Sequence, residues 1–418
     1  MIFKKWIFTS LSPNTEPDDV FRALGCIVQP WAWREGRAQG VLKEEIKSYL
    51  GGGEVSLFSS GRGALASILA ALNLKEGDEV VVQAYTCVAV PNAVLWAGLK
   101  PVYADIDPKT FNISPDSLQK KVTSHTKAVV VQHTFGIPAD LDKILAIATK
   151  HKLMVIEDLA HALGATYQGR PVGAFGDAAF LSFGRDKALS SVFGGAAVAH
   201  NKALAENLRI VYSSLPHPSR VWILQQLIHP AVLTISKSLY GVFGLGRVIL
   251  GLARFTGVIS KAVYPQEKNG GRPAWAVCRM PEALARLAGA QFEKLSRFVT
   301  RRRAIVEIYQ SELGALSDIL PASPASSAPS YLRFPLRVQN ASDIIREARA
   351  NSIELGDWYN VPVAPMGVTY QKVLYEEGSC PEAEKAAKES LNLPTHIGIR
   401  EEDARTIIAF LKRYHVGS

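Results

Sequence analysis

Two hydrophobic periods alternate along the first half of the chain. From Glu54 to about His200, short continuous apolar runs (VSLFS, EVVVQ, KPVYA, AVVVQH, LMVIED, AAFLSF, GAAVAH) are separated by stretches such as RGALASILAAL, VAVPNAVLWAG and DLDKILAIATKHK. The apolar runs lack the alternation of a half-exposed strand, so each predicts a strand buried on both faces. The stretches between them, apolar every three to four positions, predict helices. Strands and helices in this alternation specify an α/β architecture, a mostly parallel sheet with helices on both sides. Gly77-Asp78, Asp107-Pro108 and Gly136-Ile137-Pro138 punctuate the units as turns.

From about residue 281 the pattern changes. PEALARLAGAQFEKLSRFVTRRRAIVEIYQSEL predicts one long helix, PASPASSAPS a loop and YLRFPLRV a strand. ASDIIREARANS, EAEKAAKESLNL and EEDARTIIAFLKRY predict further helices, giving a smaller α+β domain. Between the two domains lies an unusual stretch, 207–266, without a single Asp or Glu. VWILQQLIHPAVLTISKSL and GVFGLGRVILGLARFTGVISKAV predict two apolar helices, the first interrupted by Pro230. Neither is a clean apolar run of about 20 residues, the length a membrane span needs. Arg247, Arg254 and Lys261 recur every seven residues, which predicts one basic helix face. The expected division is an N-terminal segment (1–50), a large α/β domain (51–206), an apolar basic helical insert (207–270) and an α+β C-terminal domain (271–418).

Charge sharpens this picture. Between 201 and 300 there are 13 basic and 4 acidic residues, an excess equal to the whole formal charge of +9. A nucleic-acid surface would be broader and carry a binding motif, and none is present. Cys26, Cys87, Cys278 and Cys380 stand at neither metal-ligand nor redox spacing, and the nine histidines form no HExxH or other zinc pattern. No metal site is expected, and a reducing cytoplasm fits. The opening MIFKKWIFTSLSP has too few apolar residues for a signal-peptide core.

Three features carry candidate chemistry. Asp158 ends the apolar strand LMVIED, so its carboxylate either faces the crevice at the sheet edge or caps the following helix. Lys187, beside Arg185 and Asp186 in SFGRDKALSSVFGG, follows another buried strand; it is either a reactive amine or a solvated loop lysine. SSGRGAL joins a strand to a helix. Its Gly61, Arg62 and Gly63 either converge their N–H groups into an anion nest, with Ser182 adding a hydroxyl, or form a tight turn. Lysine, carboxylate and anion nest at one sheet edge are what a pyridoxal phosphate site requires.

The same segments resemble the DegT-type sugar aminotransferases, within the fold type I superfamily of aspartate aminotransferase. SSGRGALASILAALNLKEGDEVVVQAYT resembles the family's SGTxAL and GDEVI block, and KPVYADIDPKTFNISPDSL its PVFVDID stretch. VVVQHTFGIPADLDKILAIATKHKLMVIEDLAHALGATYQGRPVGAFGDAAFLSF resembles the block from the HxyG turn through EDAAxxxGA. CPEAEKAAKESLNLPTH resembles its CPxAE and LPxh ending. The resemblance implies a large α/β/α domain with an α+β C-terminal domain, pyridoxal phosphate as cofactor, and homodimers whose sites are completed by the partner chain. It also implies transfer of an amino group from glutamate or glutamine to a keto sugar, usually nucleotide-linked. By position, Lys187 matches the Schiff-base lysine and Asp158 the partner of the pyridine nitrogen. Ala160 would lie against the ring, His161 stands where a Gln contacts the ring hydroxyl, and Ser182 with the Gly61–Gly63 turn would bind phosphate.

Four positions depart from the family pattern. Arg62 replaces the Thr of SGT, and Cys87 replaces the ring-stacking aromatic, with Tyr85 two residues before it. Val277 replaces the Asn of GYNxRM, and Phe193 replaces the Glu of GEGG. Arg62 is therefore expected to neutralise the phosphate in place of the lost Asn and Thr. Two other activities fit the sequence: a sugar dehydratase, against which the retained Lys187 argues, and a catalytically degenerate, membrane-associated regulator. The insert predicts either a hairpin over the active site or partner subunit, or a surface resting on an anionic membrane.

Overall fold

The structure, a computed structural model, describes residues 5–413. The first four residues of the MIFKKW stretch, and Tyr414 at the end of the last expected helix, lie outside the described residues.

Seven strands form the central sheet: β1 (Glu54–Phe58), β2 (Glu79–Gln83), β3 (Lys100–Ala104), β4 (Thr126–Gln132), β5 (Met154–Asp158), β6 (Ala178–Ser182) and β7 (Gly195–Ala199), in the order β1-β7-β6-β5-β4-β2-β3. Successive residues of each strand serve opposite cores. Val81, Val129, Val155 and Leu181 pack into one, and Val80, Val82, Val130, Ile156 and Phe180 into the other. This double burial explains why the runs are apolar throughout. The pairs β5–β6, β4–β5, β2–β4 and β2–β3 are parallel, whereas β7 is antiparallel to both β6 and β1. The cause is the β6–β7 connection, which carries no helix and so cannot make a parallel crossover. Lys187 lies in that returning loop.

The helix α1 (Gly61–Ala71) follows β1 and is capped by Ser60, whose hydroxyl accepts the Gly63 N–H at 3.1 Å. The insert holds α2 (Arg220–Ser238) and α3 (Leu245–Phe255), packed on each other. Two expectations for it are corrected. α2 runs unbroken through Pro230, which removes one donor without ending the helix. α3 ends at Phe255 before Gly257, whose φ of +72° is left-handed, so Lys261 does not share a helix face with Arg247 and Arg254.

The expected long helix after residue 281 is two: α4 (Glu282–Phe292) and α5 (Leu295–Leu313). At the break, the Lys294 ammonium reaches Glu16 at 3.2 Å, Asp18 at 2.6 Å and Asp19 at 3.1 Å. SLNL of the EAEKAAKESLNL segment leaves its helix at Glu389 and pairs antiparallel, as Ser390–Leu393, with Phe334–Arg337. Here tertiary pairing overrides the helical periodicity. Ile7–Phe8 pairs in parallel with Ile353–Glu354, stitching the N-terminal segment to the C-terminal region. Among the described residues no helix is long and apolar enough to cross a membrane.

Candidate active site

Parallel register brings candidate residues to one sheet edge. Gln132 ends β4 opposite Asp158, which ends β5; Ser182 ends β6, paired with Gly195 at the start of β7. The segments leaving β1 and β2 at this edge carry Ser60 with the first turn of α1, Gly61–Arg62, and Thr86–Cys87. All open into a cavity of about 640 Å³ at the carboxyl ends of the parallel strands. Asp158, Lys187, Gly61, Arg62, Cys87, Ala160, His161 and Ser182 line it.

Two adjacent carboxylates on β5 show what the site lacks. Glu157 points to the opposite face and is saturated: it accepts the N–H groups of Gly173, Phe175 and Gly176 and pairs with His133 at 3.2 Å. Burial opposes its ionisation, but His133 and these backbone donors outweigh it and hold the carboxyl below the usual range. Asp158 accepts the Ala160 N–H at 2.8 Å. Burial raises its carboxyl to about 6, against the opposing pull of that bond and of the Lys187 and His133 charges. A buried, under-compensated carboxylate at a cavity wall fits a cationic ring nitrogen.

Lys187 is braced from the N-terminal segment. Asn14 Nδ2 donates to the carbonyls of Lys187 at 2.8 Å and Ala188 at 3.0 Å, and the Ser12 N–H donates to Asp186 at 3.1 Å. The Lys187 Nζ stands 4.9 Å from the centroid of the Trp358 ring. Burial lowers its pKa, although Cys87 and Asp158 pull the other way. Such an amine is ready to give up its proton.

The anion nest is narrower than expected. Gly63 donates its N–H to Ser60 and lies outside the cavity lining, against the Ala276 carbonyl. Gly61 and Arg62, at the open end of α1, keep their N–H groups for a ligand. A Cβ on Gly61 would come within 2.8 Å of Ser182 Cβ, and one on Gly195 within 2.5 Å of Gly61 N, so both glycines hold the cradle open. Asp158, Lys187 and this cradle with its Ser182 hydroxyl fit pyridoxal phosphate in kind and in number.

Arg62 departs from its expected role. Its guanidinium closes on Glu267, which is fully buried, and also donates to the Ala262 carbonyl at 2.9 Å. Its charge is met by the protein before any phosphate arrives. Replacing Arg62 with Ala should cost about 3–5 kcal/mol by leaving that buried carboxylate without its cation, and adding Glu267→Gln should recover most of the loss. Thermal melts of both variants test this, and a single variant as stable as the parent protein would refute it.

Aromatic residues enter from an unexpected place. Tyr85 is fully buried outside the lining, its hydroxyl bonded to Ser390 at 2.5 Å. Trp358 and Tyr359 line the cavity instead, and both stack on His161. His161 Nδ1 accepts the Phe135 N–H at 3.2 Å, which leaves Nε2–H to donate to the Tyr359 hydroxyl, also at 3.2 Å. Burial, followed by the Lys187 and Arg333 charges, keeps this imidazole neutral. Arg333 lies over the other end of the stack, 3.5 Å from the Trp358 ring centroid. Sequence reasoning also missed Thr86 and Gln132, which share a 2.6 Å hydrogen bond at the cavity wall. The available signal was the aromatic pair in GDWYNVPVAP, a turn-rich segment. Phe193 stands under the Arg185 guanidinium and packs edge-on against Trp275; Val277 is half-buried among apolar neighbours.

Comparison with known proteins agrees with this geometry. The chain is 29% identical over 362 residues to a pleiotropic regulatory protein of Geobacillus stearothermophilus, covering 85% of this chain and 83% of the other. It is 28% identical to a UDP-N-acetyl-3-dehydro-alpha-D-glucosamine 3-aminotransferase of Acidithiobacillus ferrooxidans, covering 95% and 94%. Among solved structures, the aminotransferase TlmJ from Streptoalloteichus hindustanus superposes with a TM-score of 0.74 at 25% identity, covering 99% and 98%. With the family profile matching residues 17–217 and 266–412, and so passing over 218–265, this chain belongs to the DegT/DnrJ/EryC1/StrS aminotransferase family.

Proposed function

We propose that the protein is a pyridoxal-phosphate-dependent aminotransferase that moves an amino group from glutamate or glutamine to a nucleotide-linked keto sugar, working as a cytoplasmic homodimer. The observation that carries this reading is the pairing of an under-compensated Asp158 with the desolvated Lys187 at one sheet edge, beside the open end of α1. When bound, pyridoxal phosphate supplies the electron sink and carries the amino group between donor and acceptor. The Lys187 amine takes the Cα proton of the donor and returns a proton to the acceptor carbon. The Asp158 carboxylate would keep the ring nitrogen protonated, and the N–H groups of Gly61 and Arg62 with the Ser182 hydroxyl would hold the phosphate.

The acceptor class rests on a second set of residues. Arg185, Arg254, Lys261 and Lys268 line the same cavity. The Arg185 guanidinium is fixed by Ser260, at 2.7 Å to its carbonyl and 2.8 Å to its hydroxyl. A cationic cavity of this size suits a sugar carrying a diphosphate. The relative from Acidithiobacillus ferrooxidans is itself named for a UDP-linked sugar.

The test has two stages. Adding glutamate to the cofactor-loaded protein should change its visible absorption and release 2-oxoglutarate. Adding nucleotide-linked keto sugars should then yield an amino sugar by mass spectrometry. Loss of water without gain of nitrogen would mark a dehydratase, and no response to glutamate or glutamine would defeat the aminotransferase reading.

A further inference from the structure

The insert holds a surface that transamination does not use. α3 has two apolar faces. Its inner face, Gly246, Leu250 and Ala253, is buried against α2; a Cβ on Gly246 would meet the Ser236 carbonyl oxygen at 2.0 Å, so the contact is close. Its outer face is bare. Leu245, Val248, Leu252 and Phe255 are 46%, 56%, 58% and 90% exposed. Their spacing of three, four and three residues puts them in one stripe along the helix. Phe243 and Val258 continue the exposed apolar surface beyond the two ends of α3. A contiguous apolar stripe of this kind on a water-facing helix marks an interaction surface.

Charge identifies what covers it. Residues 207–266 contain Arg209, Arg220, Lys237, Arg247, Arg254 and Lys261 and no Asp or Glu. Arg247 and Arg254 are exposed on α3 outside the stripe, Arg254 at the mouth of the cavity, and Lys261 is exposed past the helix end. The Arg247 guanidinium rests 4.6 Å from the ring centroid of Trp6, a half-buried indole of the kind that sits at membrane–water boundaries. A second copy of the chain, docked face to face, would set these cations against themselves. An anionic surface would neutralise them.

We propose that α3 docks on an anionic lipid bilayer, with Leu245, Val248, Leu252 and Phe255 among the acyl chains and Arg247 at the headgroup phosphates. At 11 residues α3 is too short to span and lies in the plane of the interface. Leu250 and Arg254 of the same helix line the catalytic cavity, so docking holds that cavity at the membrane surface. This segment lies within 218–265, the internal stretch that the family profile passes over.

Flotation of the purified full chain with vesicles is the test. Vesicles of phosphatidylcholine containing phosphatidylglycerol should carry the protein, pure phosphatidylcholine should not, and added salt should release it. Leu252→Asp and Phe255→Asp should each weaken binding at least about tenfold. Both should retain the 2-oxoglutarate yield from glutamate, since neither residue lines the cavity. Circular dichroism of both variants checks their fold independently of activity. No flotation on either vesicle, equal flotation on both, or unimpaired binding of the two variants would overturn the proposal. So would self-association in lipid-free buffer that the same substitutions abolish, which would assign the stripe to a second copy. Flotation is read without turnover, so a failed aminotransferase assay leaves this result standing.

Discussion

Replacing Lys187 with Ala should abolish amino-group transfer while leaving the fold intact. The loop that carries Lys187 is held through its backbone, by Asn14 on the Lys187 and Ala188 carbonyls, and through Asp186, which accepts from Ser12. The amine itself lies over the Trp358 ring and is desolvated. Truncation therefore removes an under-hydrated cation and no structural hydrogen bond, and the melting temperature should hold or rise slightly. Activity should fall at least about a thousandfold, the scale of a lost acid–base group. The cofactor should no longer become fixed to the chain on borohydride reduction, because the attaching amine is gone. Lys187→Arg should fail as well, since a guanidinium stays protonated at any working pH. Release of 2-oxoglutarate from glutamate, followed beside the mass of the reduced protein, measures both effects. Turnover retained by the Ala variant would remove Lys187 from the chemistry.

The strand-and-helix alternation was legible because burial on both faces writes itself into composition: a two-sided strand such as VVVQ can afford no polar alternation. Asp158, Lys187 and Gly61 were legible for a related reason. Each stands at the end of an apolar run or within five residues of it, and at the carboxyl ends of parallel strands that position is the crevice. The antiparallel β7 was less so. Its direction follows from the absence of a helix between β6 and β7, a negative feature in a stretch of Gly, Ser and Phe that has no period of its own. Pairings between distant segments left no local trace. Ile7–Phe8 beside Ile353–Glu354, Asn14 beneath Lys187, and Trp358 against His161 all join parts of the chain separated by well over a hundred residues. Arg62 shows the limit most clearly. Its departure from the family Thr pointed to charge at the phosphate, whereas its partner is Glu267, near the end of the insert, a residue to which sequence alone assigned no role.

Replacing Asp158 with Asn should stabilise the cofactor-free protein and cripple the loaded enzyme. Burial raises the Asp158 carboxyl from 3.8 to about 6, so the folded state holds this proton to higher pH than the unfolded chain does. Stability from this group is complete below the unfolded pKa. It is lost as pH climbs toward about 6 and does not return above it. At about 1.4 kcal/mol per unit, an ionised Asp158 costs the cofactor-free fold about 3 kcal/mol at neutral pH. The Asn variant escapes that cost, so its melting temperature without cofactor should exceed the parent's near pH 8 and match it near pH 4. With cofactor the order reverses. The carboxylate's charge is the feature that favours a protonated ring nitrogen, and a neutral amide should lower turnover by at least about a hundredfold. Melts at the two pH values, with and without pyridoxal phosphate, and steady-state turnover give the full comparison. A carboxylate that merely caps the turn at Ala160 predicts a different pattern, because losing a cap lowers stability at every pH and leaves turnover nearly untouched. Opposite signs in the two states therefore separate a group kept for a bound cation from one kept for the fold.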